Sequence, residues 1–262
     1  MISVERVTKV FNPGEVNEVT AIDGLSLDVP ESQFLTIIGG NGSGKSTLLN
    51  LIAGTYFPTG GRITVSNQDL TRVPEYRRAG LIGRVFQDPL MGTSAGLSIE
   101  ENFALADRRG GFRGLGPALD SRLRTRIRER LALLGLGLED RMRAKVGLLS
   151  GGQRQAITIL MAVFQRPTLL LLDEHTAALD PRASRKIMEL TRTIVSEEKL
   201  TTMMITHNLS HALESGDRIV MMSRGTIVRD LEKNALESMK AKDLLDLFWD
   251  TQRREESVSE SA

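Results

Sequence analysis

The chain is predicted to be an α/β protein with buried parallel strands at its centre. Three observations carry that reading. Phe34 to Ile38 and Leu169 to Leu172 are short, almost wholly apolar runs of the kind a strand shows when both its faces are covered. Each run leads into residues that carry chemistry, Gly39 to Thr47 after the first and Asp173-Glu174 after the second. Strand-like and helix-like patterns then alternate again over residues 153–232.

Taken in order, residues 1–33 read as short strands and turns, with Asn12-Pro13-Gly14 a clear turn. After the strand at Phe34, Ser46 to Gly54 is predicted as a helix, with Leu48, Leu49, Leu51 and Ile52 apolar and Gly54 placed to end it. Pro58-Thr59-Gly60-Gly61 turns the chain into a strand at Arg62 to Val65. From about Asp88 to Gly152 the chain becomes glycine-punctuated and helical, and Ser150 can cap a helix running from Gln153 to Phe164. Lys240 to Arg254 is predicted as an amphipathic helix packed on the core through residues such as Leu244 and Phe248. Glu255 to Ala262 is polar and expected to be disordered.

Gly39-Gly40-Asn41-Gly42-Ser43-Gly44-Lys45-Ser46-Thr47 fills every position of a phosphate-binding loop. Its glycines let successive N–H groups point inward, and the helix that follows offers a partly positive N-terminus. Lys45 would reach the β- and γ-phosphates, and Ser46 would give a hydroxyl to Mg²⁺. ATP and Mg²⁺ are therefore the expected cofactors. Downstream, Asp173 is placed to hold Mg²⁺ and Glu174 to polarise an attacking water.

Leu149-Ser150-Gly151-Gly152-Gln153 resembles the signature of the ATP-binding cassette (ABC) family. The resemblance implies a P-loop NTPase (RecA-like) core, with an N-terminal antiparallel β subdomain and an inserted α-helical subdomain. It covers residues 1–235, with the core at 1–87 and 153–235, the helical subdomain at about 88–152, and 236–262 left as a C-terminal helix and tail. In this family Ser150, Gly151, Gly152 and Gln153 face the γ-phosphate held by the other copy of a head-to-tail homodimer. Gln87 resembles the family's Q-loop glutamine, which touches Mg²⁺ and couples to the membrane partner. His207 resembles the switch histidine that contacts the γ-phosphate, and Ala178-Leu179-Asp180 the loop that bridges the dimer. Phe11 stands where an aromatic would stack on adenine. His175, Ala156, Ala177 and Met161 depart from the commonest family pattern without touching the phosphate chemistry.

The resemblance further implies ATP hydrolysis that drives transport through separate permease subunits, at the cytoplasmic face of the membrane. Gln87 to Thr93, Ser98 to Asn102 and Asp173 to Pro181 look most like cassettes of importers with an extracytoplasmic substrate-binding protein, of the tryptophan/tyrosine type. An exporter or lipoprotein-release ATPase is the alternative within transport, and a DNA-repair or translation ATPase the alternative outside it. The chain lacks the second cassette, cysteines and heptad insertion usual in the latter group.

Composition bounds the rest. With 262 residues, 40% hydrophobic, the chain can bury one large domain or a core and a smaller lobe. No apolar run approaches the roughly 20 residues that span a bilayer, and residues 1–6 show no secretory pattern. The absence of cysteine excludes disulfides and zinc–thiolate sites. A net charge of +1 gives no drive toward nucleic acid, which is not an expected partner. Eight arginines lie between Arg108 and Arg130, suited either to anionic headgroups and acidic loops or to a solvated helix face. With Phe112 the single aromatic residue among them, the solvated face is expected.

Overall fold

The structure is a computed structural model that describes residues 1–110 and 118–259. In chain order its elements begin with β1 (Ile2–Phe11), β2 (Val19–Val29), β3 (Phe34–Gly39), α1 (Lys45–Ala53), β4 (Gly60–Val65) and β5 (Gln68–Asp69). Then come α2 (Glu75–Arg78), β6 (Ile82–Val85), α3 (Ile99–Asp107), α4 (Ser121–Ala132), α5 (Gly151–Val163), β7 (Leu169–Asp173) and α6 (Pro181–Glu198). The chain closes with β8 (Thr201–Ile205), α7 (Leu209–Ser215), β9 (Arg218–Ser223), β10 (Thr226–Glu232), α8 (Lys233–Leu236) and α9 (Ala241–Ser259). These pack as two compact units, one of Met1–Pro74 with Thr201–Ala262 and the other of Glu75–Leu200. The second unit therefore holds β6, β7 and α6 together with the helical segment.

In the first unit, β1 pairs antiparallel with β2 on one side and β4 on the other, and β5 extends the sheet from β4. The strands expected as short are 10 and 11 residues long, because the sequence alternates apolar and polar residues across the turn at Asn12. The alternation slips once in β1: Ile2, Val4 and Val7 are buried, with a register shift between Val4 and Val7. At that bulge Arg6 takes φ +44° and its backbone runs against Gly61. A Cβ on Gly61 would lie 2.4 Å from the Arg6 carbonyl oxygen.

The first unit also contains a mostly parallel sheet. β3 pairs parallel with β8 and β9, and β9 pairs antiparallel with β10. All six residues of β3 and all five of β8 are buried, which is why β3 reads as a mostly apolar run and β8 carries only threonine, methionine and isoleucine. Ile38, Ala212, Ile219, Met221, Leu236 and Leu244 form one core cluster, so α9 packs on the core as expected. The α9 backbone continues to Ser259, past the point where disorder was expected from Glu255, since the segment has no glycine or proline to stop it. Glu260, Ser261 and Ala262 lie outside the described residues.

In the second unit β6 and β7 form a parallel pair, with Val85 opposite Leu172. Gly83 admits α5 against β6, since a Cβ there would lie 2.4 Å from the Ala162 carbonyl oxygen. A capping box of Ser98 and Glu101 starts α3. Buried Asn102 donates to the Ser94 and Ser98 carbonyls and accepts from the Ser94 N–H, fixing the segment that follows Gln87. The arginine-rich segment does not present a purely solvated face. Arg124 bonds Glu100 at 2.9 Å, Arg126 pairs with Asp107 and stacks on Phe164, and Arg130 pairs with Glu198. Arg122 and Arg128 are exposed, and Arg113 lies outside the described residues.

The Gly61→Ala substitution is expected to destabilise the chain by about 1–3 kcal/mol, since φ is +85° there and the Cβ has no room. A chemical-denaturation midpoint checks this. A midpoint equal to that of the parent would mean that the bulge relaxes around the methyl group.

Candidate nucleotide site

The phosphate loop is built by close backbone approach. β3 carries the chain to Gly39, where a Cβ would lie 2.4 Å from the Met222 carbonyl oxygen on neighbouring β9. Gly42 and Gly44 take φ +76° and +98°, and a Cβ on Gly44 would meet the Ala21 carbonyl oxygen at 2.6 Å. The Gly225 N–H donates to the Ser43 carbonyl at 3.0 Å, tying the loop to the β9–β10 turn. These contacts hold Gly39 to Gly44 in a tight curl directly before α1, whose first residue is Lys45.

Lys45 is almost fully buried, and its ammonium donates to the Gly39 and Gly40 carbonyls at 2.9 and 2.8 Å. It thus fills the curl with positive charge, where an incoming phosphate would exchange places with the carbonyls. Asn41, Gly42 and Ser46 are exposed, as ligand contact requires. Beside the loop lies a cavity of about 230 Å³, lined by Gly39 to Ser43 and by Ser223, Phe248 and Thr251. Phe248 and Thr251 belong to α9, and no sequence signal tied that helix to the loop. Phe11 ends β1, packed edge-on against Tyr56 at 5.3 Å with the Lys9 ammonium 4.8 Å from its ring centre. His207 sits exposed just past β8, before Asn208 caps α7 by accepting from the His211 N–H.

The second unit carries the acids. β7 is buried along four leucines and delivers Asp173 at its carboxyl end, half-buried. Glu174 follows at φ +47°, a left-handed backbone that a non-glycine residue holds at a cost of about 1–3 kcal/mol. Two neighbours fix this turn. The Ala177 N–H donates to the Glu174 carbonyl at 2.9 Å, and His175, 2% exposed, places Nε2 3.3 Å from the Thr191 hydroxyl on α6. Thr191 gives its only hydroxyl proton to the Ile187 carbonyl, so His175 is the donor in this pair. Asp180 caps α6 by accepting from the Arg182 and Ala183 N–H groups at 3.0 Å. The loop read as a dimer bridge is thereby also a helix start.

The signature begins α5 with a capping box: Ser150 Oγ accepts from the Gln153 N–H, and Gln153 Oε1 from the Ser150 N–H, both at 3.2 Å. The first-turn N–H groups of Gly151 and Gly152 can then serve an anion. A Cβ on Gly151 or Gly152 would meet Leu179 or Ala183, respectively, only at ordinary contact distance. Gln87 is exposed immediately after β6. The sequence reading passed over Arg84, two residues into the strand before it. One charge within Ile82-Gly83-Arg84-Val85-Phe86 was the available signal. Arg84 Nη2 lies 3.7 Å from Asp173 Oδ2 and Nη1 4.0 Å from Glu75 Oε1.

The donor set fits Mg²⁺. Hydroxyl and carboxylate are hard oxygen ligands, and a cation that keeps water and phosphate ligands needs only one or two such protein groups. Ser46 in the first unit, and Gln87 and Asp173 in the second, offer oxygen donors of this kind.

Comparison with known proteins gives the same picture. The family model described as ABC transporter matches residues 22–177. The tyrosine transport ATP-binding protein of Clostridioides difficile is 41% identical over 250 residues, spanning 95% of this chain and 98% of that protein. The methionine import ATP-binding protein of Geobacillus kaustophilus is 37% identical, over 88% of this chain but 66% of its own length. The spermidine/putrescine import ATP-binding protein of Thermobifida fusca is 35% identical, with the chain spanning 56% of it. Among solved structures, a dimeric ATP-binding cassette in a post-hydrolysis state with ADP and Pi bound superposes with a TM-score of 0.75. It is 31% identical and covers 89% of this chain and 99% of its own. On the phosphate loop, the capped signature and the family match together, the chain belongs to the ABC transporter family, as a cassette that binds and hydrolyses ATP with Mg²⁺.

Proposed function

We propose that this chain energises uptake of an amino acid or a related small molecule through a separate membrane permease, loaded by an extracytoplasmic substrate-binding protein. The observation that carries this reading is the 41% identity to a tyrosine transport ATP-binding protein over nearly the full length of both chains. The import subunits for methionine and for spermidine/putrescine support the direction of transport. The protein would work at the cytoplasmic face of the membrane. No helix among the described residues is long and apolar enough to cross a bilayer, so the membrane contact would be made through the permease.

Two copies would bind two nucleotides head to tail, each ATP held by one phosphate loop and the partner's Ser150 to Gln153. Lys45 would leave the Gly39 and Gly40 carbonyls to meet the β- and γ-phosphates. Mg²⁺ carried in with the nucleotide offsets phosphate charge and would be held by Ser46, Asp173 and Gln87. Glu174 would align water for in-line attack, with its carboxylate aimed by the left-handed turn. His207 would stabilise the charge that develops on the γ-phosphate. Phe11 would supply the stacking face for adenine. Gln87, tethered to the segment locked by Asn102, would pass the nucleotide state to the permease.

The Glu174→Gln variant is expected to retain ATP and to accumulate as a dimer, while hydrolysis falls by about 100-fold or more. Size-exclusion chromatography with phosphate release checks both, and wild-type turnover would remove Glu174 from the mechanism. Lys45→Ala should weaken ATP binding by roughly tenfold or more, measured by equilibrium titration. Purification of the tagged chain from gently solubilised native membranes tests the transport role. A multi-spanning permease with a binding protein is the expected company, and ribosomes or DNA-repair proteins without a membrane subunit would overturn the reading.

A further inference from the structure

Arg84 has surroundings that its place in a strand does not require. Its side chain is 11% exposed, held over the Phe86 ring at 4.5 Å, and flanked by two carboxylates on different elements. One is Glu75 at the start of α2, and the other is Asp173 at the end of β7. The Asp173 side chain is itself only 17% exposed. A carboxylate this sheltered is stabilised by a cation, and at 3.7 Å the guanidinium supplies one. Arg84 and Asp173 lie on adjacent strands whose register is fixed by the pairing of Arg84 with Leu171. The two groups therefore meet through rigid backbone, not through flexible loops.

We propose that Arg84 is a placeholder cation for the metal at Asp173. Resting on the reading of Asp173 as a Mg²⁺-holding residue, the inference adds the group that occupies its charge when no metal is there. The guanidinium, 3.7 Å from Asp173 Oδ2, offsets the charge of that carboxylate. The same positive charge opposes the arrival of a second cation, so it sets how much Mg²⁺ the site needs. Arg84 is on this account a positioning residue and touches neither the phosphates nor the attacking water.

The distinguishing measurement is ATP binding as a function of Mg²⁺, followed with a fluorescent ATP analogue. For Arg84→Met the half-saturating Mg²⁺ concentration is expected to fall roughly three- to tenfold. Arg84→Lys, which keeps the charge, should restore it toward the parent. If Arg84 merely knits β6 to its neighbours, Arg84→Met lowers thermal stability while the Mg²⁺ requirement stays put, and the proposal fails. Asp173→Asn separates this from failure of the underlying reading. If Asp173→Asn leaves the Mg²⁺ dependence unchanged, Asp173 does not hold the metal and both ideas fall. If Asp173→Asn shifts it and Arg84→Met does not, the placeholder alone is lost. Should Arg84→Met fail to fold, a normal Mg²⁺ requirement in Arg84→Lys together with an altered one in Arg84→Gln would sustain the proposal, and a normal one in both would end it.

Discussion

Everything in the nucleotide site depends on backbone lying closer to backbone than a side chain would allow. Gly39 against Met222 and Gly44 against Ala21 leave less than 3 Å for any Cβ. That closeness is what curls the loop so that its N–H groups converge and its carbonyls grip Lys45. The apolar β3 behind it is buried on both faces, which makes the curl a feature of the sheet and not of a mobile turn. The same device recurs in the second unit, where Gly83 admits the Ala162 carbonyl and brings the signature helix onto the strand before Gln87.

Charge is handled by borrowing partners. Lys45 rests on carbonyls, Asp173 lies against Arg84, and in the signature the first-turn Gln153 N–H is taken by Ser150 Oγ. A ligand arriving at Lys45 or Asp173 would thus displace a protein partner. Binding becomes an exchange of hydrogen bonds and ion pairs, which costs less than desolvating bare charges and disfavours the wrong ligand. Glu174 takes a left-handed backbone in a turn closed by the Ala177 N–H on its carbonyl and flanked by His175 on Thr191.

Much of this was legible in the sequence, for identifiable reasons. The phosphate loop, the leucine run into Asp173-Glu174 and the Ser150 cap are local: a few adjacent residues specify both conformation and chemistry. β3, β7, α1 and α5 followed directly from them. What escaped was set by tertiary pairing. The length of β1 and β2 depends on partner strands and on a bulge at Arg6 that alternation alone does not announce. The eight-arginine stretch looked solvent-facing because its acids, Glu100, Asp107 and Glu198, lie on other helices. Arg84 was hidden for the same reason, its partners lying at both ends of a unit of chain that only folding brings together. The approach of Phe248 and Thr251 to the phosphate loop had no sequence signature at all.

The parallel pairing of β3 with β8 and β9 has a consequence for biosynthesis. Phe34 lies opposite Thr202, and Leu35 opposite Arg218, so the strand that bears the phosphate loop is made long before either neighbour exists. At roughly 5–20 residues per second, the interval is on the order of ten to thirty seconds. Through that time a mostly apolar strand has unpaired edges in a nascent chain, the situation that invites chaperone capture or mispairing. The loop can close on a nucleotide only after β9 has emerged to set the Met222 carbonyl against Gly39. The cell therefore makes an ATPase that stays blind to ATP until the chain has been translated past Met222.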